Sequence, residues 1–217
     1  MIVSFQHRFI YLAVPKTAST ALYTALEPFG ARIVPYRPAP HPGYERDFTG
    51  FHESAVPPEL QGYFTFATVR NPFARAVSAY VYAKTYPTHR LYGLAIALTF
   101  DEFLLVTMRK RLATQCEFIA DTRLDAIIRC EDDIGSQLSA MPFSGGQLIA
   151  VDRLNASRYH RPWKEYYTPE SVAMVREWAA EDFVRFGYAT TLEEPCTLPS
   201  SLPATDAPDC SIGTCAP

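Results

Sequence analysis

The sequence predicts an α/β fold, a single domain whose central, mainly parallel sheet is flanked by helices. Three observations predict it. Two short, β-rich apolar runs, residues 9–14 and 63–69, have the unbroken hydrophobicity of strands covered on both faces. Each run leads toward a segment with helical spacing. The alternation of strand and helix continues as far as Gly187, the pattern of parallel strands joined by crossover helices.

The elements follow in order. Residues 9–14 form a buried strand that Pro15 ends. Residues 19–26 form a helix with Ala21, Leu22, Ala25 and Leu26 on one side and Gly30 beyond its end. Residues 32–34 read as a second strand. Residues 35–62 hold six prolines and little periodicity, and a long irregular stretch inside a compact domain points to function. Residues 63–69 are a strand, and Pro72 sits at the first position of a helix reaching about Lys84, with Phe73, Ala76, Val77 and Tyr80 at helical spacing. A helix over 100–112, a strand over 124–129, a helix over 131–141 and a short strand over 148–151 come next. In the last helix Thr168 is the N-cap, Pro169 and Glu170 fill the first turn, and Gly187 stops it. Val172, Val175, Ala179 and Phe183 make its apolar stripe. Residues 190–217 are rich in Pro, Ser, Thr and Asp, so the expected division is a folded domain over 1–189 and a disordered tail over 190–217.

Composition narrows the function classes. With 217 residues, 48% hydrophobic and 20% charged, the chain is globular and of one-domain size. A net charge of −3 excludes a generally basic nucleic-acid coat, though not a local basic pocket. The five cysteines (116, 130, 196, 210, 215) form no CxxC pair and no ligand run with histidine, which speaks against a disulfide framework or a zinc site. The apolar run at 9–14 is too short to cross a bilayer, and no small-residue cleavage site follows it. The expectation is a cytoplasmic protein without stable membrane insertion.

Two strand–helix turns carry the chemistry. Pro15-Lys16-Thr17-Ala18-Ser19-Thr20 joins the first strand to the first helix. A helix N-terminus offers unpaired N–H groups and partial positive charge, which suit a phosphate or sulfate. Lys16 adds a full charge, and Thr17, Ser19 and Thr20 add hydroxyls. The loop is not GxxxxGK[ST], since no glycine lies between Val14 and Phe29. At the second turn, Thr68-Val69-Arg70-Asn71-Pro72-Phe73 is followed by Arg75 and Ser78. An arginine at a strand end forks two bonds onto a phosphate. Taken singly, each turn also reads as ordinary structure: a surface lysine at a helix start, or an arginine paired with a carboxylate.

Taken together, the two turns resemble those of the sulfotransferases that use 3′-phosphoadenosine 5′-phosphosulfate (PAPS). FIYLAVPKTASTAL is similar to the family's 5′-phosphosulfate loop, and FATVRNPFARAVSAYVY to its 3′-phosphate motif. The downstream sequence agrees at Gln115, Phe118, Ile119, Ala120 and Asp121, at Ile128-Arg129-Cys130-Glu131-Asp132, and from Leu154-Asn155 through Tyr166-Tyr167-Thr168-Pro169-Glu170 to Tyr188. The pattern is nearest to the carbohydrate sulfotransferases of the heparan 2-O and chondroitin type and their bacterial relatives. The resemblance covers roughly residues 8–188 and implies a P-loop-NTPase-like sulfotransferase fold. The absence of a Golgi-type anchor before it favours a bacterial-type cytoplasmic enzyme. Many members have Gly where this chain has Ala18, so an ordinary rather than left-handed backbone is expected there.

The resemblance implies sulfuryl transfer from PAPS to a hydroxyl, most naturally of a saccharide, with 3′,5′-ADP as product and no metal. Lys16 stabilises the charge growing on the departing phosphate. Lys16, Thr17, Ala18, Ser19 and Thr20 hold the 5′ end, Arg70 and Ser78 hold the 3′-phosphate, and Arg158 assists. His52 is the expected base for the acceptor hydroxyl, with Glu53 the alternate. Only one histidine lies here, where the heparan 2-O relatives show two. The plainer reading of His52 is a structural loop histidine. Met108-Arg109-Lys110-Arg111 reads as a solvated helix face rather than a contact for an acidic polysaccharide. Two other functions fit the anion loops: a nucleotide or sugar kinase of related architecture, or a PAPS-binding module without turnover. The acceptor, the position sulfated and the oligomeric state are not encoded in any motif.

Overall fold

A computed structural model of the protein describes residues 1–34, 56–108, 112–120, 122–152 and 161–192. Among the described residues the strands are β1 (Ile2–Ser4), β2 (Phe9–Leu12), β3 (Arg32–Ile33), β4 (Phe64–Val69) and β5 (Ala126–Arg129). The helices are α1 (Ser19–Leu26), α2 (Pro72–Thr85), α3 (Tyr92–Ala97), α4 (Phe100–Thr107), α5 (Gln115–Ile119), α6 (Ile134–Ser139), α7 (Pro169–Trp178) and α8 (Ala180–Phe186). The sheet order is β3-β1-β2-β4-β5. β2 pairs in parallel with β4, and β4 with β5. β1 is antiparallel to both its neighbours, so it alone opposes the direction of the other four strands.

Alternation along β2 sets the layers. Ile10 and Leu12, with Val14 beyond them, face the cluster that holds Val69, Phe73, Val77, Phe103, Val175 and Phe183. Phe9, Tyr11 and Ala13 face the opposite cluster with Leu22, Leu26, Phe66, Leu138 and Phe143. Helices α1 and α6 therefore cover one face, and α2, α4, α7 and α8 cover the other. Burial on both faces is why the run at 9–14 is apolar without interruption. Each fully buried large side chain here stabilises the fold by roughly 1.5–3 kcal/mol.

Several expectations change. β1, α3 and α5 have no counterpart in the periodicity reading, because elements of three to six residues carry too few positions to show a period. The helix expected over 131–141 starts later, since the Asp133 carboxylate accepts from Gly135 and Ser136 N–H and caps α6 there. The helix expected over 100–112 ends at Thr107. The stretch 148–151 is not a strand. Ile149 N–H donates to Ser139 Oγ at 2.7 Å, so the segment lies along α6 rather than pairing with the sheet. The last helix breaks at Ala179 (φ −107°, ψ 25°) into α7 and α8. Val175 and Phe183 on either side of the break share one core cluster, while the buried Asp182 carboxylate on α8 accepts from Cys116 N–H. The tail from residue 193 onward lies outside the described residues.

Candidate active site

β2 and β4 are parallel neighbours, so the turns that follow them leave the sheet at the same edge. The first turn is held in an unusual backbone. Lys16 and Ala18 are both left-handed, with φ of 70° and 61°. This corrects the expectation of an ordinary conformation at Ala18. A left-handed alanine costs about 1–2 kcal/mol, and the surroundings of the loop impose it. Helix α1 then begins without a side-chain cap. The N–H groups of its first turn are thereby left to other partners.

A chain of buried hydroxyls anchors the loop from beneath. Thr17 Oγ1 donates to Val14 O at 2.7 Å and lies 2.6 Å from Thr68 Oγ1, which lies 2.8 Å from the Tyr11 hydroxyl. All three residues are fully buried. A hydroxyl has one proton to give, so the direction is fixed: Tyr11 donates to Thr68, Thr68 to Thr17, and Thr17 to Val14 O. Burial pushes the Tyr11 hydroxyl far up, which keeps it a donor. The Thr17 side chain therefore faces inward, leaving its backbone N–H as its contribution to an anion. Ser19 is buried and Thr20 exposed at the start of α1.

The second turn clamps the first. Arg70 Nη1 donates to Lys16 O at 3.4 Å. Arg75 is buried; its Nε donates to Pro15 O at 3.0 Å and its Nη2 to Ala113 O at 2.9 Å. Arg70 is fixed in turn by Gln115, which accepts from Arg70 N–H at 2.8 Å and donates to Arg70 O at 2.9 Å. Asn71 caps α2 by accepting from Phe73 and Ala74 N–H, and Pro72 occupies its first turn. Ser78 is buried on the same helical face as Arg75, three residues on.

Three cations thus converge on one loop. Lys16 feels it most: burial first, then the nearby charges of Arg70 and Arg75, lower its pKa from 10.5 to about 7. Its ammonium lies 3.3 Å from the centroid of the Tyr82 ring. A site with this excess of positive charge is matched to a polyanion, which would restore the lysine to its charged form.

The structure brings Lys16, Thr17, Ala18, Ser19, Thr20 and Arg70 to one edge of the sheet, with Ser78 on the adjoining helix. His52, Glu53 and Arg158 lie outside the described residues, as do Asn155, Ser157 and the basic positions 109–111. Sequence reasoning named Thr68, Arg75 and Gln115 without giving them a role in this assembly, and gave none to Tyr82. The spacing of Arg75, Ser78 and Tyr82 at i, i+3 and i+7 is the signal that places them on one face. A separate cavity of about 300 Å³ is lined by Ala21, Thr24, Phe29, Leu148 and Ile149, among others, and by none of the predicted site residues. Among the described residues no group of three or more His, Cys, Asp or Glu side chains is arranged to hold a metal ion. No described helix is long and apolar enough to cross a membrane.

A family model described as the sulfotransferase family matches residues 1–130. No curated protein and no solved structure matches the chain. The matched stretch contains β1 through β5, the lysine loop and the arginine turn that clamps it. Spanning well over half of the 217 residues, it shows that the chain belongs to the sulfotransferase family.

Proposed function

We propose that the chain transfers a sulfuryl group from PAPS to a hydroxyl of a saccharide acceptor, within a P-loop-like strand–loop–helix site and in the cytoplasm. The observation that supports this best is the clamp between the two turns. Arg70 and Arg75 from the second turn bond the backbone carbonyls of Lys16 and Pro15 in the first. One rigid unit then offers a lysine-bearing loop for one charged end of the donor and an arginine for the other.

In this reading the N–H groups at residues 17–20 hold the 5′-phosphosulfate, and Arg70 and Ser78 hold the 3′-phosphate with help from Arg158. The acceptor oxygen attacks sulfur in line. The bond from sulfur to the bridging phosphate oxygen breaks, and its electron pair stays on the phosphate. Lys16 stabilises that developing charge. His52, or Glu53 in its place, takes the acceptor proton. The catalytic domain is residues 1–189, and the proline-rich remainder is an appendage. The mechanism calls on no metal ion.

The test is transfer of labelled sulfate from PAPS to a panel of saccharides. Lys16→Ala and Arg70→Ala should each lower turnover by roughly 100-fold or more, the scale of removing a group that stabilises transition-state charge. Unchanged turnover in both variants contradicts the assignment. Thermal stabilisation by Mg²⁺–ATP but not by 3′,5′-ADP would favour a kinase instead.

A further inference from the structure

Helix α2 contributes more to the lysine than its first turn. Arg75, Ser78 and Tyr82 lie along one face of it. At one end of that face Arg75 holds the carbonyl of Pro15, next to Lys16. At the other end the Tyr82 ring lies under the Lys16 ammonium, 3.3 Å from centroid to Nζ. Tyr82 is itself braced. Its ring meets Tyr86 at 4.4 Å and stands edge-on to His89 at 5.5 Å and 89°. His89 is held by Leu91 N–H, which donates to its Nδ1 at 3.2 Å.

Among the described residues, the Tyr82 ring is the contact that offers the ammonium an attraction. Burial and the charges of Arg70 and Arg75 all act to expel it. A lysine stem is long and flexible, and its charged head turns to water where it can. The face of an aromatic ring attracts a cation and is indifferent to its rotation. We infer that Tyr82 is a positioning residue for sulfuryl transfer, whose ring holds the Lys16 ammonium over the loop between the two clamped turns. The catalytic part of this inference rests on the proposed role of Lys16. The ring acts through its face, so Tyr82→Phe should preserve the effect, while Tyr82→Leu should abolish it and still suit a helix.

Competitive acetylation of the full chain, followed by mass spectrometry of the Lys16 peptide across a pH series, reads the ammonium directly. No nucleotide is present, so the result does not depend on the donor assignment. The unmodified protein should label Lys16 with a midpoint near 7. Tyr82→Phe should match it. In Tyr82→Leu the lysine should swing to solvent and its midpoint climb toward the ordinary value of about 10.4. Turnover of sulfate transfer should then fall about tenfold in Tyr82→Leu and stay within about twofold in Tyr82→Phe. A midpoint that does not rise in Tyr82→Leu overturns the inference, as does a phenylalanine variant that behaves like the leucine one. A change in acceptor KM alone, with the labelling curve unmoved, would place Tyr82 on the acceptor side instead. Failure of the unmodified chain to use PAPS would count against the donor, not against the lysine–tyrosine contact.

Discussion

The ammonium of Lys16 is disfavoured by burial and by two guanidinium groups, a balance that the phosphate of the proposed donor would reverse. Its pKa is lowered to about 7, and an anion bound beside it would raise that value. Between those two values, binding takes up a proton. Affinity for 3′,5′-ADP should therefore fall as pH rises above 7, by at most about tenfold per unit. Below pH 7 Lys16 is already charged and adds no further dependence. Calorimetry from pH 7 to 9 should show this fall in the unmodified protein and lose it in Lys16→Arg, whose charge does not titrate in that range. Two residues away, Ala18 holds a backbone that suits glycine. Ala18→Gly relieves left-handed strain of about 1–2 kcal/mol against a smaller loss of chain entropy. Urea unfolding should show the variant more stable by up to about 1 kcal/mol; a clear loss of stability would mean the alanine methyl group makes packing contacts that outweigh the strain.

At the scale of elements, the same device occurs twice. Gln115 takes both the N–H and the C=O of Arg70 just past β4, and Gln137 does the same for Arg129 at the end of β5. Each glutamine amide substitutes for one more rung of backbone pairing, so the strand ends are held where the sheet stops. Gln115 is secured in turn by buried Asp182 on α8, whose carboxylate accepts from Gln115 N–H at 2.9 Å, Gln115 Nε2 at 3.2 Å and Cys116 N–H at 2.7 Å. Asp182→Ala leaves three buried donors without that partner. It should cost about 2–4 kcal/mol in denaturant unfolding and weaken 3′,5′-ADP binding through Arg70. A variant as stable as the parent would show these contacts to be dispensable. Such long-range ties are what a sequence conceals. The strand at Phe64–Val69 and the helix at Ser19–Leu26 were legible because burial writes a local pattern, and the helix at Pro72–Thr85 because its capping does as well. Lys16 and Arg70 were legible because each sits at a strand end beside a helix start. Arg75 was quoted with the second turn but given no role of its own, and Asp182 was given none, since their partners lie 38 to 67 residues away. The backbone at Ala18 was misread for the same reason: tertiary clamps, not local preference, set it.

Across the whole molecule, the stretch beyond the family match closes back on the site. Glu131 accepts from Asn71 N–H at 2.7 Å and from the Tyr188 hydroxyl at 2.9 Å, tying the end of β5 and the segment after α8 to the arginine turn. Arg129 donates to Phe186 O and lies over the Tyr188 ring. The described residues from 131 to 188 therefore brace the edge at which the two turns meet. In the proposed function this edge distinguishes the two ends of one nucleotide, with Arg70 reading the 3′-phosphate. The most direct measurement is calorimetric titration of 3′,5′-ADP and of 5′-AMP into the unmodified protein and into Arg70→Ala. The unmodified protein should bind 3′,5′-ADP roughly 10- to 100-fold more tightly than 5′-AMP, the scale of charge-assisted hydrogen bonds to one phosphate, and Arg70→Ala should lose most of that difference while keeping its affinity for 5′-AMP. Equal affinity for the two nucleotides in the unmodified protein, or an equal loss for both in the variant, would contradict it.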